Sequence, residues 1–135
     1  MANKELYEKV LKSAKLIEAV IGNQEGDNPY KGECYIASFI LWEMYEGENM
    51  HFLRKKDFYD EWHWWISYND GYYKEWIDIT RKQYDLENIP CPSDDRRGAG
   101  LTDKMAYTSY KKRIVKLKEK IKEYTESQNH QQQLE

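Results

Sequence analysis

Residues 34–46 read CYIASFILWEMYE, and this stretch decides the fold of the chain. Apolar side chains occupy nearly every position around the helix that it would form, and Gly47 follows as a helix terminator. A helix that is apolar on all sides must be buried. We therefore predict a central, buried helix with Cys34 in its first turn.

A β-hairpin is predicted after this helix. Two stretches rich in aromatic and β-branched residues, at about 62–68 and 73–80, flank an Asn-Asp-Gly sequence at 69–71, which is a strong signal for a tight turn. Residues 48–60 are mixed and charged, and no element is predicted for them. The hairpin indicates a small antiparallel sheet against which the central helix packs.

Helical periodicity marks the two ends of the domain. At about 3–21, apolar residues recur in steps of three and four, and Gly22 ends the pattern. A second helix is predicted at about 103–126, with Thr102 or Asp103 as its N-cap. Its apolar positions follow a period of about 3.5 residues, which suits either a long helix lying across the domain or a coiled-coil seam that forms a homodimer. These positions are Tyr107, Tyr110, Ile114, Leu117, Ile121 and Tyr124.

The remaining segments are predicted to connect these elements. Residues 22–33 and 89–101 have the glycine and proline content of loops, and a short helix is predicted between the hairpin and the second loop, at 81–88. A single domain is expected to span residues 1–127. The polar segment 128–135 is expected to be disordered, and its final Leu-Glu pair is typical of an expression-vector remnant.

The composition is that of one globular domain. The chain has 135 residues, of which 40% are hydrophobic and 33% charged, and a chain of this length needs neither a disulfide nor a metal to fold. No apolar run approaches the roughly 20 residues of a membrane span, the N-terminus has no hydrophobic signal core, and the two cysteines form no disulfide framework. We therefore expect a cytoplasmic protein that uses no cofactor and does not enter a membrane.

The charge is unevenly distributed along the chain. Residues 1–95 contain 11 Lys and Arg against 19 Asp and Glu, a net charge of −8, whereas residues 96–135 contain 10 against 5, a net charge of +5. A basic C-terminal helix could contact nucleic acid, but no nucleic-acid-binding motif accompanies it. A solvated helix face that balances an acidic body is the preferred interpretation, and nucleic acid is not expected as a partner.

Cys34 has the setting of a reactive thiol. It lies where a glycine-containing loop meets the start of the buried helix, and a helix N-terminus presents unpaired N–H groups and partial positive charge. Both favour the thiolate, which is the nucleophilic form, and the same N–H groups can hold the oxyanion of an acyl-transfer intermediate. The alternative is an inert buried cysteine, the usual state of a lone cysteine.

His63 and Asp78 supply the other two members of a candidate triad. If Asp70 and Gly71 form a two-residue turn, His63 lies directly opposite Asp78, with Cβ atoms roughly 5 Å apart. Asp78 would then orient one imidazole nitrogen and leave the other for Cys34, as in a catalytic triad. A one-residue bulge would spoil the pairing. The alternatives are a histidine on an ordinary sheet face and an aspartate that caps the end of a strand.

Weaker candidates surround the triad. Supporting or oxyanion-binding roles are predicted for Asn28, Tyr35, Thr80 and Gln83, and substrate binding for Trp65 and Trp76. Asn28 also suits a turn before proline. Cys91, between two prolines, has the features of a rigid loop residue. No CxxC or HxxxH spacing exists, so no metal site is predicted from Cys34, His51, His63 and Cys91.

The candidate residues resemble a known pattern. Gly-x-Cys at 32–34, His-x-Trp at 63–65 and Trp-x-Asp-x-Thr at 76–80 resemble the core elements of transglutaminase-like cysteine enzymes. The stretch 78–84 is also similar to the Asp-Leu-Thr-x-x-Gln-Phe stretch of the small YunG-type proteins. The resemblance covers about residues 28–84, and it departs from transglutaminase-like enzymes at Ile79, where those enzymes often have proline.

The resemblance implies an α+β fold with a papain- or transglutaminase-like core. It implies that Cys34 is the nucleophile, His63 the general base and Asp78 the residue that orients it, with no established substrate. One hypothesis is therefore a thiol-dependent acyl-transfer enzyme, a peptidase, amidase, deamidase or transamidase that acts on a peptide, protein or other amide. The other hypothesis is a non-catalytic protein-binding or inhibitory module on the same fold, which would use exposed aromatic residues or the C-terminal helix.

Overall fold

The computed structural model describes residues 3–95, 99–100 and 104–134. It has an α+β architecture built on an antiparallel sheet. In chain order the elements are α1 (Lys4–Gly22), α2 (Cys34–Met44), β1 (Met50–Lys56), β2 (Trp62–Asn69), β3 (Lys74–Ile77), α3 (Lys82–Glu87), a 3₁₀ turn (Pro92–Asp94), β4 (Ala99–Gly100) and α4 (Lys104–Leu134). None of the helices within the described residues is long and apolar enough to cross a membrane.

The central helix of the prediction is confirmed as α2, which ends two residues earlier than expected. Gly47 has a φ of +71° and donates its N–H to the carbonyl of Trp42 at 2.8 Å. This left-handed glycine caps the C-terminal turn and reverses the chain towards β1. The α2 side chains buried in the core are Tyr35, Ile36, Ala37, Ser38, Ile40 and Leu41.

The sheet has the strand order β3-β2-β1-β4, and every neighbouring pair is antiparallel. β1 lies in the charged segment for which the sequence predicts no element. Only its first residues alternate clearly, because Met50 and Phe52 are buried and His51 is exposed. The guanidinium of Arg54 lies over the ring of Trp62 on β2, 4.0 Å from its centroid. Such cross-strand contacts let a basic segment form a strand that periodicity does not reveal.

The hairpin of β2 and β3 forms at the predicted place with a wider turn. Asn69 pairs with Lys74, so residues 70–73 make a four-residue loop instead of a two-residue turn. The Asp70 carboxylate accepts hydrogen bonds from the backbone N–H groups two and three residues further on, at 2.9 and 2.7 Å. This side chain stabilises the longer loop in the way that aspartate commonly does in turns.

The predicted direct pairing of His63 with Asp78 is therefore wrong by two residues. β3 ends at Ile77, which pairs with Ile66, so Asp78 lies beyond the paired strand and diagonal to His63. Because side chains alternate between faces with a period of two, a shift of two residues keeps both side chains on one face of the sheet. The diagonal distance remains within reach of a long side chain.

The two faces of β2 meet different surroundings. Trp64, Ile66 and Tyr68 join the main hydrophobic core with residues of α1, α2 and α4. His63 and Trp65 lie on the opposite face, where His63 contacts residues of α3. The imidazole of His63 is thus separated from the main core by the sheet, whereas Cys34, at the start of α2, packs against that core.

The long C-terminal helix is confirmed as α4, and it packs on α1 and α2 of the same chain. Ile114, Leu117 and Ile121 are buried there, so the seam of period 3.5 is covered within one chain. The predicted N-cap residues lie outside the described residues. The helix continues to Leu134, in place of the disorder expected from residue 128, because Gln is a good helix former and extends an existing helix at little cost.

Candidate functional site

Three elements bring the predicted triad together. Cys34 is the first residue of α2, His63 lies on β2, and Asp78 directly follows β3. His63 is fully buried, the Asp78 side chain is 5% exposed and Cys34 is half-buried. The thiol is thus the member of the three that solvent can reach.

The imidazole and the carboxylate form a short hydrogen bond. The Nε2 atom of His63 lies 2.6 Å from Oδ2 of Asp78. Trp65 stacks on the imidazole with ring centroids 5.7 Å apart, and Tyr84 meets it edge-on at 4.9 Å. A charge-assisted bond and two aromatic contacts together fix the orientation of the ring.

The pKa of His63 is raised above its ordinary value. Burial on its own would lower the pKa, because it disfavours the charged imidazolium. Hydrogen bonds with Asp78, Cys34 and Cys91, together with the Coulombic attraction of the Asp78 carboxylate, outweigh burial and raise the pKa. His63 is therefore an imidazolium at neutral pH, paired with a carboxylate.

The Cys34 thiol lies beside this pair. Its sulfur donates to the backbone carbonyl oxygen of Trp62 at 3.8 Å, and Cys34 is one of the neighbours that raise the pKa of His63. The backbone N–H groups in the first turn of an α-helix have no acceptor within the helix, and they carry partial positive charge. The thiol is thus close to the imidazole and lies at a helix N-terminus.

An arginine of α4 holds the loop that leads to the thiol. The Nη2 group of Arg113 donates to the carbonyl of Gly32 at 2.9 Å and to the carboxylate of Glu33 at 3.0 Å. Gly32 has a φ of +82°, a backbone conformation that favours glycine. The glycine of the Gly-x-Cys sequence therefore sets the direction in which the chain enters α2.

A segment that the sequence does not connect to the triad also contacts Asp78. The Ser93 hydroxyl donates to Oδ2 of Asp78 at 2.6 Å, and the Cys91 thiol donates to the same oxygen at 3.3 Å. The Asp78 Oδ1 atom is buried and has no hydrogen-bond partner within the described residues. The sequence feature that could have pointed to this segment is the pair of prolines that flank Cys91, since they indicate a segment held in one conformation.

Gln83 and Thr80 lie next to the histidine. The Gln83 Nε2 group donates to the Thr80 hydroxyl at 3.1 Å and lies 3.3 Å from Nδ1 of His63. All three residues are buried. Because buried polar groups need partners, this contact gives the second imidazole nitrogen a neighbour and orients the side chains around it.

Asn28 and Tyr35 have other contacts than those predicted. The Asn28 amide donates to the carbonyl of Gln83 at 2.9 Å and to the carboxylate of Glu87 at 3.2 Å, so both of its hydrogens are engaged away from the thiol. Asn28 thus ties the loop before α2 to α3 and offers no oxyanion donor in this arrangement. The Tyr35 ring packs in the core against Trp64, which leaves only its backbone N–H near Cys34.

A known protein family matches most of the length of this chain. A family model described as YunG protein matches residues 6–128. The chain belongs to the YunG protein family. Neither a curated protein nor a solved structure shows a significant match. The predicted YunG resemblance is confirmed, and the match extends well beyond residues 28–84 to include Cys91, Ser93 and most of α4.

The two tryptophans predicted to bind substrate differ in burial and in surroundings in this YunG-family chain. Trp65 is fully buried against His63, so it supports the imidazole and has no surface to offer a substrate. Trp76 is half-buried and lines a cavity of about 600 Å³ together with Asp78, Arg81 and Ser93. Cys34 does not line this cavity. The cavity therefore reaches the carboxylate of the candidate triad and not its thiol.

Exposed aromatic residues lie on the thiol side of the site. Trp62, whose carbonyl contacts Cys34, is 45% exposed, and the Phe58 side chain in the turn between β1 and β2 is 74% exposed. The Tyr84 hydroxyl donates to the Asp57 carboxylate at 2.9 Å and so connects α3 to this turn. An exposed aromatic border thus runs along the turn between β1 and β2, with Arg54 and Lys56 over the ring of Trp62.

Proposed function

We propose that this YunG-family protein is a thiol-dependent acyl-transfer enzyme, a peptidase, amidase, deamidase or transamidase with a papain- or transglutaminase-like core. The observation that carries the proposal is the hydrogen bond of buried His63 to the Asp78 carboxylate, 2.6 Å from Nε2, with the half-buried Cys34 thiol 3.8 Å from the backbone carbonyl oxygen of the preceding residue, Trp62. A nucleophile, a base and an orienting carboxylate in that sequence are the parts that such chemistry requires. The papain-like assignment is supported by a cysteine at the start of a helix that packs on an antiparallel sheet bearing the histidine.

The reaction would begin from an ion pair of thiolate and imidazolium. Nε2 of His63 donates to Asp78, so Nδ1 holds the proton taken from Cys34. The Cys34 sulfur attacks the carbonyl carbon of an amide, and the resulting oxyanion is held by backbone N–H groups in the first turn of α2. Collapse breaks the carbon–nitrogen bond, and the leaving amine takes the Nδ1 proton.

A second half-reaction would release the acyl group. The thioester on Cys34 is attacked by water or by an amine, whose proton passes to Nδ1 of His63. The products are a carboxylic acid or a new amide, together with the regenerated pair of Cys34 and His63. The two acceptors distinguish hydrolysis from transamidation, and the chemistry of the three side chains is the same for both.

The first test is the rate of iodoacetamide alkylation at each cysteine, followed by peptide mass spectrometry. We expect Cys34 to be labelled rapidly at neutral pH, because only the thiolate reacts. Replacement of the base in His63→Ala should slow this labelling by about 10-fold or more, since an ordinary thiol is only a few per cent ionised at neutral pH. Buried Cys91 in the same molecules serves as an internal reference for general exposure.

The matched control is His51→Ala, which removes an exposed histidine of β1. It should leave Cys34 labelling unchanged, and circular dichroism should show that both variants are folded. Labelling of Cys34 at the rate of free cysteine, or an equal rate in wild type and His63→Ala, would argue against the acyl-transfer proposal. Rapid labelling that depends on His63 would justify a screen of amide substrates and amine acceptors.

A non-catalytic binding module is the second candidate, and one observation favours it. The Gln83 amide lies 3.3 Å from Nδ1 of His63, the same nitrogen that would have to accept the Cys34 proton. A fully hydrogen-bonded histidine can have a purely structural role. In that case the exposed aromatic border around Trp62 would be the working surface, and Cys34 labelling would be slow and independent of His63.

A further inference from the structure

A second cluster of side chains shares two members of the candidate triad. One ligand atom from each of His63, Asp78 and Cys91 lies within 4.8 Å of the other two. The three residues come from β2, the end of β3 and the segment before the 3₁₀ turn. An imidazole, a carboxylate and a thiol are the three side-chain ligands that zinc uses in proteins. Small relative movements would place all three within coordination distance of one ion.

The carboxylate of this cluster lacks a partner that a cation would supply. Oδ1 of Asp78 is buried and makes no hydrogen bond to any described residue. Oδ2, by contrast, accepts bonds from His63, Ser93 and Cys91. An unpaired buried carboxylate oxygen is costly, and a bound cation removes that cost.

The surrounding residues also suit a metal site. Metal-binding histidines usually hydrogen-bond through their second ring nitrogen, and Gln83 lies 3.3 Å from Nδ1 of His63. Ligating carboxylates are also hydrogen-bonded, and Ser93 provides such a bond to Asp78 at 2.6 Å. Rotation of the Gln83 amide would present its oxygen to an Nδ1–H group.

We propose that His63, Asp78 and Cys91 bind a zinc ion. Binding would transfer the Cys91 thiol proton and the His63 Nε2 proton to solvent, and the ion would take the sulfur, the nitrogen and a carboxylate oxygen. Cys34 is not a member of this group, so a water molecule completes the tetrahedral coordination. The combination of one sulfur, one nitrogen and one carboxylate oxygen disfavours magnesium and calcium, which prefer oxygen ligands.

Cobalt(II) is the probe for this site, because a cobalt–thiolate bond gives charge-transfer absorption and tetrahedral cobalt has intense visible bands. Metal-free full-length protein, with any affinity tag removed, is titrated with cobalt(II) and then with zinc(II). We expect one ion per chain, a thiolate band in wild type and in Cys34→Ser, and replacement of the cobalt by zinc. Cys91→Ser should lose the thiolate band, and Ser93→Ala should bind about 10-fold more weakly.

The zinc proposal fails if the spectrum of Cys91→Ser equals that of wild type, if Cys34→Ser and not Cys91→Ser loses the band, or if only octahedral cobalt appears. Serine is close to cysteine in size, and Ser93→Ala changes no ligand, so the two variants together separate metal binding from misfolding. Circular dichroism in the presence of EDTA verifies that each variant is folded.

Discussion

At the scale of single residues, the site depends on one buried charge pair. His63 is fully buried and Asp78 nearly so, and their hydrogen bond is 2.6 Å long. Removal of one partner of a buried pair is far more costly than the pair's net contribution, because the remaining charge loses both its partner and water. Surface pairs such as Arg81 with Asp94 keep their hydration and contribute little.

Asp78→Ala should therefore destabilise the protein by about 3–5 kcal/mol, since it leaves the His63 imidazole buried without its carboxylate. Asp94→Ala is the matched control, because it removes a carboxylate from an exposed ion pair and should cost less than about 1 kcal/mol. Urea unfolding followed by circular dichroism measures both free energies. An equal loss of unfolding free energy in the two variants would show that the buried pair contributes no more to stability than the surface pair.

The raised pKa of His63 predicts how the free energy of unfolding depends on pH. The folded-state pKa exceeds the ordinary value of 6.5, so the folded protein holds a proton that the unfolded chain releases. The resulting stability is fully present below about pH 6.5 and is lost as the pH rises towards the folded-state pKa. A Cys34 thiolate in the folded protein would offset this proton, so the test uses Cys34→Ser. Urea unfolding of that variant in EDTA should give a lower free energy at pH 8.5 than at pH 6.

The size of this effect has an upper limit of about 1.4 kcal/mol per pH unit for one proton. In the Cys34→Ser background, His63→Gln should reduce the slope, whereas His51→Gln, at an exposed position of β1, should keep it. A slope that His63→Gln leaves unchanged would mean that His63 does not carry this proton.

At the scale of elements, turns and helix ends control where the site residues lie. The four-residue loop at 70–73 sets the register of β2 and β3, and Gly47 reverses the chain from α2 into β1. Both turns contain residues with a positive φ, Gly71 in the loop and Gly47 after the helix. They differ in packing, because a Cβ on Gly47 would lie 2.4 Å from Nε1 of Trp42, whereas a Cβ on Gly71 would meet nothing within 4 Å.

Gly47→Ala should therefore destabilise the protein more than Gly71→Ala. Each substitution incurs the backbone strain of a left-handed conformation, about 1–2 kcal/mol, and only Gly47→Ala adds a steric clash with the indole ring of Trp42. Thermal unfolding of the two variants side by side measures the difference. If Gly71→Ala is the more destabilised, the packing around Gly47 described above is incorrect.

At the scale of the whole molecule, α4 completes the core of its own chain. Ile114, Leu117 and Ile121 are buried against α1 and α2, and Arg113 of the same helix holds the loop before Cys34. Beyond Tyr124, the side chains that the structure describes are exposed. A homodimer through the predicted seam would compete with this packing, because the same apolar residues cannot be buried twice.

We expect the chain to be a monomer of 16.4 kDa in solution, which sedimentation equilibrium at micromolar concentration measures. Leu117→Ala should destabilise it by about 2–5 kcal/mol, whereas removal of residues 129–135 should cost less than about 0.5 kcal/mol, since the described side chains there are exposed. A dimer that dissociates in Leu117→Ala would instead support the coiled-coil seam.

Features that depend on neighbours along the chain could be predicted from the amino-acid sequence. Periodicity located α1, α2 and α4 to within a few residues at most ends, and the Asn-Asp-Gly stretch located the hairpin. Alternation along β2 and β3 also placed His63 and Asp78 on one face of the sheet. The placement is correct although the predicted register of β2 and β3 is wrong by two residues, because an even shift keeps each side chain on the same face.

Contacts between side chains that are distant in sequence could not be predicted and became apparent in the folded protein. The actual register depends on how the Asp70 carboxylate accepts bonds within its loop, and β1 depends on contacts between its basic residues and the aromatic residues of β2. The positions of Asn28, Cys91 and Ser93 relative to the triad likewise follow from packing between segments far apart in sequence. Local patterns carry no information on such contacts, because their energies come from burial and pairing that exist only after the chain has folded.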